Sequence, residues 1–83
     1  PEETEYLYLG AYCYRKTKNY DKGMELGERV RIREPHHIKN LINLGHISYL
    51  KKEFEKASYF LNKALELEPT NKYAHKLQSK LNL

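Results

Sequence analysis

Apolar residues recur along this chain at steps of three and four positions, the spacing that places side chains on one face of an α-helix. The pattern covers residues 6–16, 20–33, 38–49, 54–67 and about 72–81, with short polar breaks between them. No segment alternates strictly between apolar and polar residues, as a half-buried strand would. The pattern therefore predicts five helices and an all-α fold.

The breaks between the predicted helices carry residues that begin and end helices. Pro35 and Pro69 follow the second and fourth helices, and a proline does not continue helical hydrogen bonding. The side-chain oxygen of Asn19 is expected to accept a hydrogen bond from a free backbone N–H at the start of the second helix. Thr70 or Asn71 is expected to cap the fifth helix in the same way.

The two internal prolines are 34 residues apart, and the same offset relates most of the chain to itself. Matched pairs at this offset are Leu7 with Leu41, Tyr20 with Phe54, Gly23 with Ala57, Leu26 with Phe60, and Val30 with Ala64. Aromatic positions fall on aromatic positions and small ones on small ones. A fixed period of this length indicates a repeated helical hairpin.

The residues of this repeat resemble the tetratricopeptide repeat family. In the second copy, eight residues occupy the family's large, small, aromatic and proline positions: Leu41, Leu44, Gly45, Phe54, Ala57, Leu61, Ala64 and Pro69. Ser48 stands where the family usually has Tyr. The first copy departs from the pattern at Gly10, Gly23 and Gly27 and fits it through Leu7, Ala11, Tyr14, Tyr20, Val30 and Pro35. The resemblance covers residues 4–71, and the last helix is similar to the solvating helix that closes such arrays.

The resemblance implies one domain over residues 1–83, a segment of a right-handed α-solenoid. Its first repeat would span about residues 4–37, its second about 38–71, and a capping helix about 72–83. Stacked hairpins bury apolar faces that one hairpin leaves open. Tyr20 and Phe54 are expected to fill the base of each hairpin. Close approach of the paired helices is expected at the small residues Gly23, Gly27, Ala57 and Ala64.

Composition narrows the functional classes. The 83 residues are 40% hydrophobic and 31% charged, too apolar for a disordered chain. No apolar stretch approaches the roughly 18 residues of a membrane span. One cysteine and no glycosylation sequon favour an intracellular, cytoplasmic location over a secreted scaffold. Because the chain begins at Pro1 without an initiator methionine, we expect it to be a piece of a longer protein.

Three side chains that often carry chemistry are interpreted as structural. Cys13 matches Ile47 in the repeat and lacks a base with an orienting partner, so we expect it in the core. His36 and His37 lack further ligands at metal-binding spacing and are expected in a solvated loop. No phosphate-binding loop, HExxH motif or pair of catalytic carboxylates occurs. We therefore predict no enzyme activity, no cofactor and no metal.

The resemblance also implies a binding surface, because the first helix of each hairpin in this family faces a concave groove. The matching side chains combine aromatic contact area with a fringe of cations, and eight are candidate peptide contacts: Tyr8, Tyr12, Arg15, Lys39, Asn43, His46, Tyr49 and Lys76. Exposure is expected for Tyr8, Tyr12, Asn43, His46 and Lys76. His46, with an ordinary pKa of about 6.5, is expected to strengthen binding to a carboxylate on mild acidification.

One subclass of the family binds a C-terminal carboxylate through five residues. These are a Lys and an Asn in one repeat, an Asn in the next, and a Lys and an Arg in a third. Only Asn43 falls at a matching position in this chain. The other four positions hold Tyr8, Tyr12, Tyr73 and Leu77. A different peptide, acidic or amphipathic, is therefore expected.

Three functions follow from these observations. The leading one is a protein–protein interaction module that holds a peptide or helix of a partner in its groove. The alternative is a structural or self-associating segment of a longer helical-repeat scaffold, which an open face near Tyr6, Leu9 and Cys13 would favour. A homodimer is then expected to use the first helix or the exposed face of the last. An RNA-binding helical repeat fits less well, because most of the net charge of +4 comes from residues 69–83.

Overall fold

The computed structural model describes residues 2–82, and this part of the chain forms five α-helices. They are α1 (Glu2–Lys16), α2 (Tyr20–Arg33), α3 (Ile38–Leu50), α4 (Phe54–Leu67) and α5 (Lys72–Leu81). No strand occurs among the described residues. The all-α prediction is confirmed, although α1 begins four residues earlier than the apolar pattern indicated.

The helices stack in chain order. α1 packs on α2 and α3 on α4 to form two hairpins, α3 also packs on α2, and α5 closes the array against α4 and α3. The main apolar core lies around the second hairpin, where Leu44, Ile47 and Leu61 are fully buried. α5 contributes Ala74 and Leu77 to this core, so the last helix covers a face that α4 would otherwise expose.

Small residues set the distance between the helices. A Cβ atom on Gly27 would lie 2.5 Å from Leu44 Cδ2, and one on Gly45 would lie 2.9 Å from Leu61 Cδ2. Glycine at these points therefore allows α2 to meet α3, and α3 to meet α4, at close range. The four small residues that the pattern singled out are all buried, namely Gly23, Gly27, Ala57 and Ala64.

The helix caps agree with the sequence in one case and differ in another. Asn71 caps α5, because its side chain accepts a hydrogen bond from the N–H of Ala74 at 3.0 Å. The prediction for Asn19 is wrong, since it makes no side-chain cap to α2. Its Nδ2 donates instead to Thr17 Oγ1 at 3.0 Å. Hydrogen bonding within the turn thus competes with capping.

Two apolar residues are less buried than their repeat positions suggested. Cys13 was expected in the core and is exposed. Its counterpart Ile47 is fully buried because α3 packs on α2, whereas no described helix covers the same side of α1. Phe54 does not fill the base of its hairpin: it is 51% exposed, with its ring 5.9 Å from that of Tyr49. Tyr20 is partly buried against the core.

The two adjacent histidines have different surroundings. His36 is exposed, as expected of a loop residue. His37 is mostly buried and caps α3, where its Nδ1 accepts a hydrogen bond from the N–H of Asn40 at 3.1 Å. Its ring lies 5.0 Å from that of Tyr8. Among residues 2–82 no three potential metal ligands lie together, and no helix in this range has the length and apolarity to cross a bilayer.

Candidate functional site

A groove of about 540 Å³ runs along the first helix of each hairpin and α5. α1 lines it with Tyr8, Tyr12, Arg15 and Lys16, α3 with Lys39, Ile42, Asn43 and His46, and α5 with Tyr73, Lys76, Leu77 and Lys80. Seven of the eight candidate contacts therefore surround one space. Tyr49 does not line it; its ring contacts Phe54, with Lys80 Nζ 6.0 Å from the ring centre.

The α1 side of the groove combines aromatic rings with cations. The ring centres of Tyr8 and Tyr12 are 6.4 Å apart. The Arg15 guanidinium carbon lies 5.0 Å from the centre of the Tyr12 ring, and Lys16 Nζ lies 5.8 Å from it. Such contacts hold a cation over the negative face of a ring without neutralising its charge.

Asn43 lies at the floor of the groove and is more buried than expected. Only 4% of its surface is exposed, and Arg15 of α1 lies against it. Arg15 Nε donates a hydrogen bond of 2.6 Å to Asn43 Oδ1, which fixes the orientation of the amide. Asn43 Nδ2 is buried and has no hydrogen-bond partner in the described structure. The expectation that this side chain is exposed is wrong, and its unpaired donor lies buried beneath the groove surface.

The titration expected for His46 is also wrong. Partial burial, followed by repulsion from Arg15, Lys80 and Lys16, lowers the pKa of His46 from 6.5 to about 4. The imidazole of the free protein therefore stays neutral under mild acidification. It does not supply the extra positive charge that the sequence suggested.

We expect the acid sensitivity of folding to report on His46. The unfolded chain binds a proton at this imidazole near its ordinary pKa of 6.5, and the folded chain only near 4. Between these values the unfolded state binds more protons, so the free energy of unfolding falls as the pH drops from 6.5 towards 4. Glutamine does not titrate, so His46→Gln is expected to make this fall in the free energy of unfolding smaller by about 1 kcal/mol. The value is modest because the ring is only partly buried and solvent screens its charge. Urea unfolding at about pH 7 and about pH 4.5 measures the difference.

A second variant separates the causes of this shift. Lys80→Gln removes one of the three cations near His46, so the titration midpoint of the His46 ring should rise towards its ordinary value. Ring resonances followed by NMR across the acid range give the midpoint directly. A wild-type midpoint at about 6.5 contradicts the assignment of partial burial and cation repulsion to this ring.

Lys16 and Lys80 extend the set of cations beyond the eight candidates. Lys16 lies four residues after Tyr12, and Lys80 lies four residues after Lys76, so helical spacing places both on the groove face. Among the described residues that line the groove, none is acidic. The charge of the chain is nearly balanced over its first two thirds, yet the fold collects five cations at one surface.

A second depression of about 590 Å³ lies over the loop between α2 and α3. Its lining mixes the acidic Glu34 and Glu68 with Lys39 and the adjacent histidines. It contains no tyrosine or phenylalanine. The groove is the better candidate site, because it joins three helices and combines directed donors, aromatic rings and charge of one sign.

Comparisons with known proteins agree with this architecture. A family model described as tetratricopeptide repeat matches residues 14–81. The solved Arabidopsis OM64 TPR domain superposes with a TM-score of 0.92 at 18% sequence identity, over 95% of this chain and 65% of that one. The chain thus spans slightly less than two thirds of that domain. A search of curated proteins finds no match. Since the family model covers most of its length, the chain belongs to the tetratricopeptide repeat family.

Proposed function

We propose that this chain binds an acidic or amphipathic segment of a partner protein in its groove. Members of the tetratricopeptide repeat family are generally protein-interaction modules. The observation that carries the finer proposal is the lining of the groove, where five cations and three tyrosines surround one space with no acidic side chain among the described lining residues.

The charges support an acidic partner. Arg15, Lys16 and Lys80 all act on His46 strongly enough to help depress its pKa, which indicates a positive potential in the groove. Aspartate or glutamate side chains of a peptide would be attracted to this potential before contact. Such attraction mainly raises the association rate and selects against basic partners.

The tyrosines support a partner that also carries large apolar side chains. Tyr12 is 38% exposed and Tyr73 is 73% exposed, so both offer ring surface to a ligand. Burial, with smaller contributions from Tyr12 and Glu5, raises the pKa of Tyr8 and keeps its hydroxyl protonated as a donor. Aromatic rings provide broad contact area with few rotatable bonds to immobilise.

Asn43 supports a fixed polar anchor within the groove. Its Oδ1 is occupied by Arg15, and its buried Nδ2 has no described partner. A buried donor without an acceptor costs about 1–3 kcal/mol. Because Nδ2 is fully buried in the free protein, a carboxylate or carbonyl oxygen of a bound peptide would accept this hydrogen bond after the Asn43 amide or the covering Arg15 side chain rotates.

A peptide-display selection against the 83-residue protein tests the proposal. We expect the selected peptides to be enriched in aspartate or glutamate together with leucine or aromatic residues. The strongest clone, synthesised with a fluorescent label, then serves as the probe in titrations. Selection of basic peptides, or binding that does not weaken as salt is raised, contradicts an acidic partner.

The same probe tests the position of the site. Tyr12→Ala is expected to weaken binding about tenfold, because it removes an aromatic contact and the surface over which Arg15 is held. Tyr59→Ala is the matched control, since Tyr59 is 49% exposed on α4 and does not line the groove. Equal affinities for the two variants, at equal helicity, place the site elsewhere.

A further inference from the structure

α1 carries an exposed stripe that does not belong to the groove. Tyr6, Leu9 and Cys13 follow one another at three- and four-residue steps, so they lie along one side of the helix. Tyr6 is 69% exposed, Leu9 is 46% exposed, and Cys13 is also exposed. Glu2 and Lys16 follow at the two ends of the stripe, and Lys16 also lines the groove. None of the three central residues lines the groove.

The internal repeat allows the stripe on α1 to be compared with the equivalent side of α3, which is covered by another helix. The positions 34 residues later are Asn40, Asn43 and Ile47, with Leu44 beside them, and all are buried. Asn40 Nδ2 donates a hydrogen bond to the carbonyl of Gly27 at 2.9 Å. Ile47 packs against Gly23 on the same helix, α2. Within the chain, therefore, this side of a first helix docks on another helix.

No described helix takes that place on α1. The second helices of the two hairpins are already engaged on the corresponding side, since α3 packs on α2 and α5 packs on α4. In a second folded copy of the chain, the α1 stripe is likewise uncovered, so the stripes of two copies can pack against each other. The isolated apolar side chains would then be covered by an identical set.

The charges of α1 select one orientation for such a pair. Glu3 in the first turn already pairs with Arg33, and Arg15 in the last turn already donates to Asn43. The charges that continue the stripe are therefore Glu2 in the first turn and Lys16 in the last. Two α1 helices in parallel would place acid against acid and base against base. In the antiparallel orientation each acidic end meets a basic end, and the helix dipoles also oppose each other favourably.

We propose that the protein self-associates through an antiparallel, two-fold pairing of its α1 stripes centred on Leu9. Glu2 and Lys16 are each seven residues from Leu9, about 10 Å along the axis. Glu2 of one copy therefore meets Lys16 of the other, and Tyr6 approaches the turn that carries Cys13. The peptide-binding proposal does not depend on this pairing, because Tyr6, Leu9 and Cys13 lie outside the groove and Lys16 is the one residue that the two surfaces share.

The expected dimer is weak, because one pair of helices of this length buries less area than a standard interface. Sedimentation velocity on the 83-residue protein up to about 1 mM should show monomers converting to dimers as concentration rises. Leu9→Asp places a carboxylate at the two-fold axis and should weaken dimerisation at least about tenfold. Ile32→Asp is the matched control, since Ile32 is 81% exposed at the end of α2 and should have no effect.

Mixing two charge variants tests the antiparallel orientation. Glu2→Lys alone opposes lysine to lysine at both ends of the pair, and Lys16→Glu alone opposes glutamate to glutamate. Each variant should dimerise less than the wild type, whereas an equimolar mixture should form a heterodimer in which both end contacts join opposite charges. Circular dichroism confirms that each variant remains helical.

Three outcomes overturn the proposal. A wild-type monomer at every concentration means that the stripe receives some other helix or nothing. A dimer that withstands Leu9→Asp uses another surface. Loss of dimerisation in both charge variants without recovery in the mixture excludes the antiparallel pair. Peptide titrations of Leu9→Asp are expected to match the wild type, so failure here leaves the groove proposal separately testable.

Discussion

Leu44→Ala is expected to lower the free energy of unfolding by about 2–5 kcal/mol, a large share of the total for a domain of this size. Leu44 is fully buried in the main core between the two hairpins, and its side chain fills the space left by Gly27 on α2. Its removal leaves a cavity at the point where α2 and α3 meet. Urea unfolding followed by circular dichroism measures the loss. Ile32→Ala, at an exposed position, should change stability little.

A double-mutant cycle with Gly27→Ala tests the geometry behind this prediction. In the wild type the added Cβ would lie 2.5 Å from Leu44 Cδ2 and 3.1 Å from Leu44 Cγ, so it should overpack the contact. In the Leu44→Ala background both atoms are gone, and alanine should then favour the helix over glycine. We expect a coupling energy of about 1 kcal/mol or more between the two sites. Strict additivity contradicts the close contact of Gly27 with Leu44.

The helices of this chain are predictable from its sequence because their signals are local. Apolar spacing within each segment, Pro35 and Pro69 after two of the helices, and an Asn before α5 act over one or two turns. The period of 34 residues adds the order of packing, since each hairpin repeats the pairing of the last. These features were sufficient to predict the all-α fold and most helix bounds.

Burial was less predictable, because it depends on what covers each face. Cys13 and Ile47 occupy the same place in the repeat, yet only Ile47 has a preceding helix packed against it. Asn40 is polar, a property typical of surface residues, yet it is fully buried. Its hydrogen bond to the Gly27 carbonyl joins α3 to α2. A repeat pattern specifies the direction of a side chain and leaves its neighbours unspecified at the ends of an array.

The candidate site shows the same limit. Helical spacing and the family resemblance placed seven of the eight candidate contacts around one groove. They did not predict that Arg15 would turn towards Asn43, or that partial burial and three nearby cations would keep His46 neutral. Both effects depend on side chains from different helices approaching within a few ångströms. Such distances are set by the packing of α1 and α5 against α3, which the sequence of one helix alone does not determine.

The final prediction concerns Asn43, where stability and binding should respond in opposite directions. Asn43→Leu keeps a similar volume and removes the buried Nδ2 that has no described partner. Arg15 loses an acceptor but is only partly buried and is able to turn towards water. The free energy of unfolding should therefore stay the same or rise by up to about 1 kcal/mol. Binding of an acidic probe peptide should weaken by about 1.5–3 kcal/mol, because the donor for its carboxylate is lost.

Asn40→Leu is the matched control for this pair of effects. Asn40 lies three residues earlier on the same helix and is equally buried, but its Nδ2 already donates to the Gly27 carbonyl, and it does not line the groove. Its replacement should lower stability by about 1 kcal/mol or more and leave peptide affinity unchanged in the folded protein. If Asn43→Leu instead destabilises the fold and binds the probe as the wild type does, its amide is a structural group. The unused donor would then have no part in recognition, and the anchor of the peptide would have to lie on the tyrosines and lysines alone.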